Sequence, residues 1–96
     1  MVSRKKLSDE EITAKLKQAP GWGYIDGHLR SQFQTLNFAN GVAFVNQIAR
    51  IADDLNHHPD ILLTYPRVTV DIYTHDVGGI TEFDFELATR ISALAQ

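Results

Sequence analysis

The chain has 96 residues, 44% of them hydrophobic, which suits one modest core and a single domain spanning 1–96 without a linker. Nine basic against twelve acidic residues leave a net charge of −3, which argues against nucleic acid or an anionic membrane surface as a partner. No cysteine is present, so disulfides, thiolate metal ligands and cysteine nucleophiles are all excluded, in keeping with a reducing compartment.

The basic cluster Arg4-Lys5-Lys6 is followed by no apolar signal-peptide core, and no apolar run approaches bilayer length. The cluster reads as a solvated tail and the protein as cytoplasmic. Ser8 with Glu11 forms a capping box, and Leu7 with Ile12 a hydrophobic staple, so a helix is predicted to start here. Ile12, Leu16 and Ala19 carry it to the breaker Pro20-Gly21-Trp22-Gly23. Between Tyr24 and Leu36, an Asp26-Gly27 turn followed by Leu29, Ser31, Phe33 and Thr35 on one alternating face predicts a hairpin.

Asn37 is placed to cap a second helix whose apolar stripe is Phe38, Val42, Val45, Ile48, Ala49, Ala52 and Leu55. Phe44 and Ile51 fall off that stripe, which points either to a subunit interface or to a helix lying deep in its own core. Ile61 to Tyr65, then Val68, Val70 and Ile72, predict two further strands around Tyr65-Pro66-Arg67. After the turn at His75 to Gly79, Thr81 as cap, Asp84 at the third position and Ile80 against Phe85 open a third helix continued by Leu87, Ile91 and Leu94. The order α-β-β-α-β-β-α predicts an α+β fold: one four-stranded antiparallel sheet with three helices packed on one face.

Three of the four histidines flank the second hairpin, His57 and His58 entering it and His75 leaving it, whereas His28 sits elsewhere. Adjacent antiparallel strand ends are neighbours, so the three can meet. Three readings compete. Metal binding is disfavoured because His57 and His58 diverge in regular backbone and no His-Glu-x-x-His spacing exists. Histidine and asparagine before proline are also ordinary helix-exit residues. Acid-base chemistry is the third, since imidazole titrates near neutral pH.

The spaced set Asp53, His57-His58-Pro59, Tyr65, His75 and Asp84 resembles the motif of the pterin-4a-carbinolamine dehydratases. "PGW" at Pro20 to Trp22, "THD" at Thr74 to Asp76 and "GGIT" leading into "DFELA" are similar to bacterial members, so the likeness covers nearly the whole chain. The resemblance implies dehydration of a 4a-hydroxytetrahydropterin to the quinonoid dihydropterin in tetrahydrobiopterin recycling, with no metal and no cofactor. It implies His57 and His75 as acid and base and His58 as the residue that binds and polarises the pterin. Asn56, Pro59, Tyr73, Thr74 and Asp76 would line the substrate, and Tyr65 would pack. Asp53, one helical turn before His57, would orient that imidazole, and Asp84 would serve as a second orienting acid besides its capping role.

The resemblance further implies a homodimer or homotetramer built through the second helix and the sheet edge, and a functional link to an aromatic amino acid hydroxylase. Phe44 and Ile51 fit the helix interface, with Val45 or Ile48 as equal candidates. Animal relatives also bind a dimeric transcription factor through that helix, so a noncatalytic interaction module on the same scaffold is the alternative. Three positions depart from the family pattern. Ile61 stands where animal members carry a tryptophan, which removes an indole stacking surface; Asp53 replaces the usual glutamate; and Pro66 replaces a common asparagine.

Overall fold

A computed structural model describes residues 3–95. Helix α1, Asp9–Leu16, begins where the capping box predicts: the Glu11 N–H donates to Ser8 Oγ at 3.1 Å, and the Ser8 N–H donates to Glu11 Oε1 at 2.9 Å. It ends a turn earlier than the spacing suggests, because Gln18 and Ala19 bond three residues back instead of four. Ala19 is nevertheless buried.

Strands β1, Gly23–Ile25, and β2, His28–Gln34, meet at Asp26 and Gly27, whose φ values of 53° and 82° are those of a type I′ hairpin turn. Helix α2 spans Phe38–Leu55, strands β3 and β4 span Asp60–Thr64 and Arg67–Ile72, a short 3-10 turn covers His75–Val77, and helix α3 covers Glu82–Leu94. The sheet order is β1-β2-β4-β3 with every neighbouring pair antiparallel. Strands β2 and β3 therefore run parallel on either side of β4, and α2 is the crossover between them.

This topology makes β4 a central strand. Val68, Val70 and Ile72 are wholly buried on the helix-facing side, joined there by Leu29, Phe33, Ile61 and Leu63. The opposite face carries Arg30, Gln32, Leu62, Thr69 and Asp71 around an open groove of about 520 Å³. A predicted α+β fold with its helices on one face of a four-stranded antiparallel sheet is what the chain forms.

The faces of α2 are divided differently from the expectation. Its core row is Gly41, Phe44, Ile48 and Ala52, with Ile51 half-buried beside it, whereas Phe38 and Val42 are 52% and 40% exposed. Phe44 and Ile48 are thus core residues of the single chain. The reason is Gly41: a Cβ there would lie 2.6 Å from Leu63 Cδ1, so its absence lets β3 approach and turns that face of the helix inward. A count of apolar side chains assigns Gly41 to neither face, and the stripe shifts accordingly.

Two expectations follow for stability. Ile48→Ala should cost about 2–5 kcal/mol in urea unfolding at fixed protein concentration, and a loss below about 1 kcal/mol would return this face of α2 to the surface. Hydrogen bonds from the Ser8 backbone and then the Ser8 hydroxyl hold the Glu11 carboxyl below its ordinary range, outweighing the opposing loss of hydration, and Lys5 and Lys15 add smaller attraction. A folded-state value below the unfolded one means that this stabilisation is full above the ordinary glutamate range and is lost as pH falls through the lowered value. The Tm difference between wild type and Glu11→Gln should therefore exist near pH 7 and shrink toward about pH 3. A pH-independent gap would refute the carboxylate's role.

Candidate active site

The end of α2, the end of β4 and the start of α3 lie together at one pole of the sheet, and a single residue directs the first of these. Asn56 adopts the left-handed conformation, φ 51° and ψ 43°, with its N–H bonded to the carbonyls of Ala52 and Asp53. The His57 N–H then returns to the Ala52 carbonyl at 3.0 Å. This reversal ends the helix and sends the two adjacent imidazoles in opposite directions.

His57 turns inward and is 6% exposed. Its Nε2 lies 2.6 Å from Asp84 Oδ1, and Asp84 is wholly buried at the third position of α3. The other carboxylate oxygen accepts the Thr81 N–H at 2.8 Å and the Thr74 hydroxyl at 2.6 Å, and the two threonine hydroxyls are 3.1 Å apart. Burying a carboxylate costs several kcal/mol unless its lone pairs are met, and here donors from three elements meet them. No buried side-chain nitrogen or oxygen among the described residues lacks a partner.

His58 turns outward, with Nε2 2.9 Å from Asp53 Oδ1 and both side chains largely exposed. Asp53 was expected to orient His57; its carboxylate rests instead on His58, because the left-handed Asn56 rotates His57 off the helix surface that Asp53 occupies. Asp84, expected both to cap α3 and to serve as the second orienting acid, is the carboxylate on His57. His75 opens the 3-10 turn and stands exposed, its ring edge-on to Tyr73 at 5.0 Å between centroids and 76° between planes.

A cleft of about 290 Å³ is lined by Arg4, Asn56, His57, His58, Tyr73, His75 and Asp76. The three histidines expected to act together do share one space. Pro59 is half-buried and lies outside the cleft lining. Thr74, expected at the substrate, is 1% exposed and gives its only hydroxyl proton to Asp84. Among the described residues no three His, Asp or Glu side chains converge as a metal centre needs.

Arg4 is the residue that sequence reasoning missed, having been read as part of a solvated tail. Its guanidinium donates to Asp76 at 3.2–3.4 Å and sits 5.2 Å from the Phe83 ring centroid, and Phe83 in turn contacts the His57 ring. The segment is tied down by the Leu7 N–H on the Ile80 carbonyl at 2.8 Å and the Ser3 N–H on Glu82 Oε2 at 3.1 Å. These contacts are made across more than seventy residues, and no local pattern announces them.

Known proteins resemble this chain over most of its length. The family model described as pterin 4 alpha carbinolamine dehydratase matches residues 5–94. A protein of Sulfolobus acidocaldarius, provisionally named pterin-4-alpha-carbinolamine dehydratase, is 43% identical over 93% of this chain and 98% of its own. One of a Picosynechococcus species with the same provisional name is 43% identical over 93% and 97%. Among solved structures, a transcriptional coactivator/pterin dehydratase from Brucella melitensis superposes with a TM-score of 0.91 at 31% identity, covering 96% of this chain and all of its own. A pterin dehydratase-like protein identified as a RuBisCO assembly factor in the alpha-carboxysome superposes less closely, with a TM-score of 0.59 at 25% identity over 71% of this chain and 79% of its own. With a family match from one end of the fold to the other and relatives of this identity, the chain belongs to the pterin-4-alpha-carbinolamine dehydratase family.

Proposed function

We propose that the protein is a hydro-lyase that removes water from a 4a-hydroxytetrahydropterin, giving the quinonoid dihydropterin in tetrahydrobiopterin recycling beside an aromatic amino acid hydroxylase. Family membership supports the substrate class, and the buried His57–Asp84 pair opening on a cleft shared with His58 and His75 is the observation that carries the chemistry.

The reaction breaks the C4a–O bond, whose electrons leave with the oxygen as water, and the N5–H bond, whose electrons become the N5=C4a double bond. One group must deliver a proton to the departing hydroxyl and another must accept the proton of N5; no electrons are gained or lost overall. With Nε2–H donated to Asp84, a neutral His57 holds its lone pair on Nδ1. A proton taken there creates an imidazolium whose charge Asp84 meets at 2.6 Å, the service that a buried aspartate performs for a histidine base in hydrolases. His57 is thus suited to receive the N5 proton and His75 to supply one to the hydroxyl, with the roles exchanged for the other C4a epimer. His58, diverging from His57 and backed by Asp53, binds and polarises the ring, while Asn56, Tyr73 and Asp76 form walls. Thr74 acts through Asp84, and Pro59 fixes the chain as it leaves the histidine pair.

For assembly we propose a homodimer or homotetramer through α2 and the sheet edge, carried by the exposed flank of Phe38 and Val42 and by exposed Leu62 on edge strand β3. An interaction role for the same scaffold draws on the transcriptional coactivator and the RuBisCO assembly factor among the solved relatives.

Stopped-flow absorbance of 4a-hydroxytetrahydropterin decay tests the enzyme. Wild type should outpace the spontaneous reaction, and His57→Ala should lose about 10²–10⁴-fold in kcat. Asp84→Asn should lose about 10–100-fold while keeping its shape. Wild type no faster than buffer would sink the dehydratase reading and leave the interaction module. Sedimentation velocity of Val42→Glu should show a smaller species than wild type; an unchanged sedimentation coefficient would remove the α2 flank from the interface.

A further inference from the structure

The three histidines of the cleft are not held alike. His57 rests on Asp84 and His58 on Asp53, but among the described residues His75 makes no side-chain hydrogen bond. The ring contact recorded for it is with Tyr73, edge-on at 5.0 Å. An exposed imidazole on a short turn visits several rotamers unless packing limits it, so the plane of Tyr73 constrains where His75 points.

Tyr73 is itself fixed from behind. His28 stacks on its ring at 4.3 Å between centroids and 10° between planes, standing across from it one step beyond the Leu29–Ile72 pair of the β2/β4 register. Asp71 then fixes His28: Oδ1 lies 2.5 Å from His28 Nδ1, and Oδ2 accepts from Arg30 Nε at 2.7 Å. The far end of Tyr73 reaches Gly78, where a Cβ would be 3.9 Å from the phenol oxygen. Arg30 thus steadies Asp71, Asp71 the imidazole of His28, that imidazole the ring of Tyr73, and that ring His75.

We propose that His28, anchored by Asp71, is a positioning residue for His75, setting through the ring of Tyr73 the direction of the third imidazole in the cleft. The proposal rests on the dehydratase reading for its rate effect, though not for its geometry. Arg30 still donates to Asp71 when the His28 ring is removed, so losing the stack should leave the fold largely intact. Misplacing a proton-transfer group by about 1 Å can cost as much as 10²-fold in rate. Fold and rate therefore respond differently, and the difference can be measured.

The experiment compares wild type, His28→Ala, His28→Phe and Asp71→Asn by stopped flow, with Tm recorded for each, and repeats His28→Ala in a His75→Ala background. His28→Ala should lower kcat about tenfold with KM changed less than about twofold, because the direction of His75 is altered more than the cleft wall that Tyr73 forms. His28→Phe, which keeps a flat face against Tyr73, should recover kcat to within about threefold of wild type, and Asp71→Asn should fall between the two. In the His75→Ala background the His28 substitution should cost nothing further. In parallel, the imidazole NMR resonances of His75 should move in His28→Ala while those of His58 stay. The proposal is overturned by a kcat within about twofold of wild type in His28→Ala, by a loss confined to KM, or by an equal loss without His75. Failure of phenylalanine to rescue, or unmoved His75 resonances, would overturn it too. Should His28→Ala fail to fold, Asp71→Asn and His28→Phe carry the comparison. Should wild type show no acceleration, the dehydratase reading falls, and the His75 resonances still decide the positioning.

Discussion

The carboxylate of Asp84 is the constraint on which the site depends. It is wholly buried, and its lone pairs are met by the histidine leaving α2, the threonine that follows β4 and the backbone at the start of α3. A buried charge with one donor missing would cost more than an apolar replacement, so the three elements can meet at this pole only with Thr74, Thr81 and His57 in register. Asn56 in its left-handed conformation is the local device that delivers His57 to that point.

The topology explains why the pole exists. Because β4 lies between the parallel strands β2 and β3, the crossover helix α2 ends where β3 begins, and an antiparallel β4 ends at the same level. The turn after β4 then feeds α3, whose N-terminal N–H groups favour an acid. His57 is rigid because it belongs to this core, whereas His58 is held by a surface pair that contributes little. One imidazole thereby has its direction set by buried partners while its sequence neighbour stands in solvent.

The same sheet presents a different chemistry on its open side. Arg30, Asp71 and His28 form a polar row beside the aromatic pair His28–Tyr73, and the row reaches the cleft at His75. Across the molecule, α2 turns Phe38 and Val42 outward because Gly41, rather than a bulky residue, marks the face that meets β3. How closely α2 approaches β3 at Gly41 thus decides which flank of the helix joins the core and which stays exposed.

Local chemistry was legible along the chain. Both capping boxes, the Asp26-Gly27 turn, the alternation of β4 and the histidine set with its family resemblance are written within windows of a few residues, where propensity and hydrogen bonding act without distant partners. Pairings across the fold were not. That Asp84 rather than Asp53 backs His57, that Arg4 lines the cleft, that Thr74 is sealed away from it and that Phe44 is core all depend on which surfaces pack together. A sequence determines which side chains are available and which elements they sit on; the direction each side chain takes is decided by one left-handed residue and by the requirement that every buried polar group find a partner, and both act only once the tertiary structure has formed.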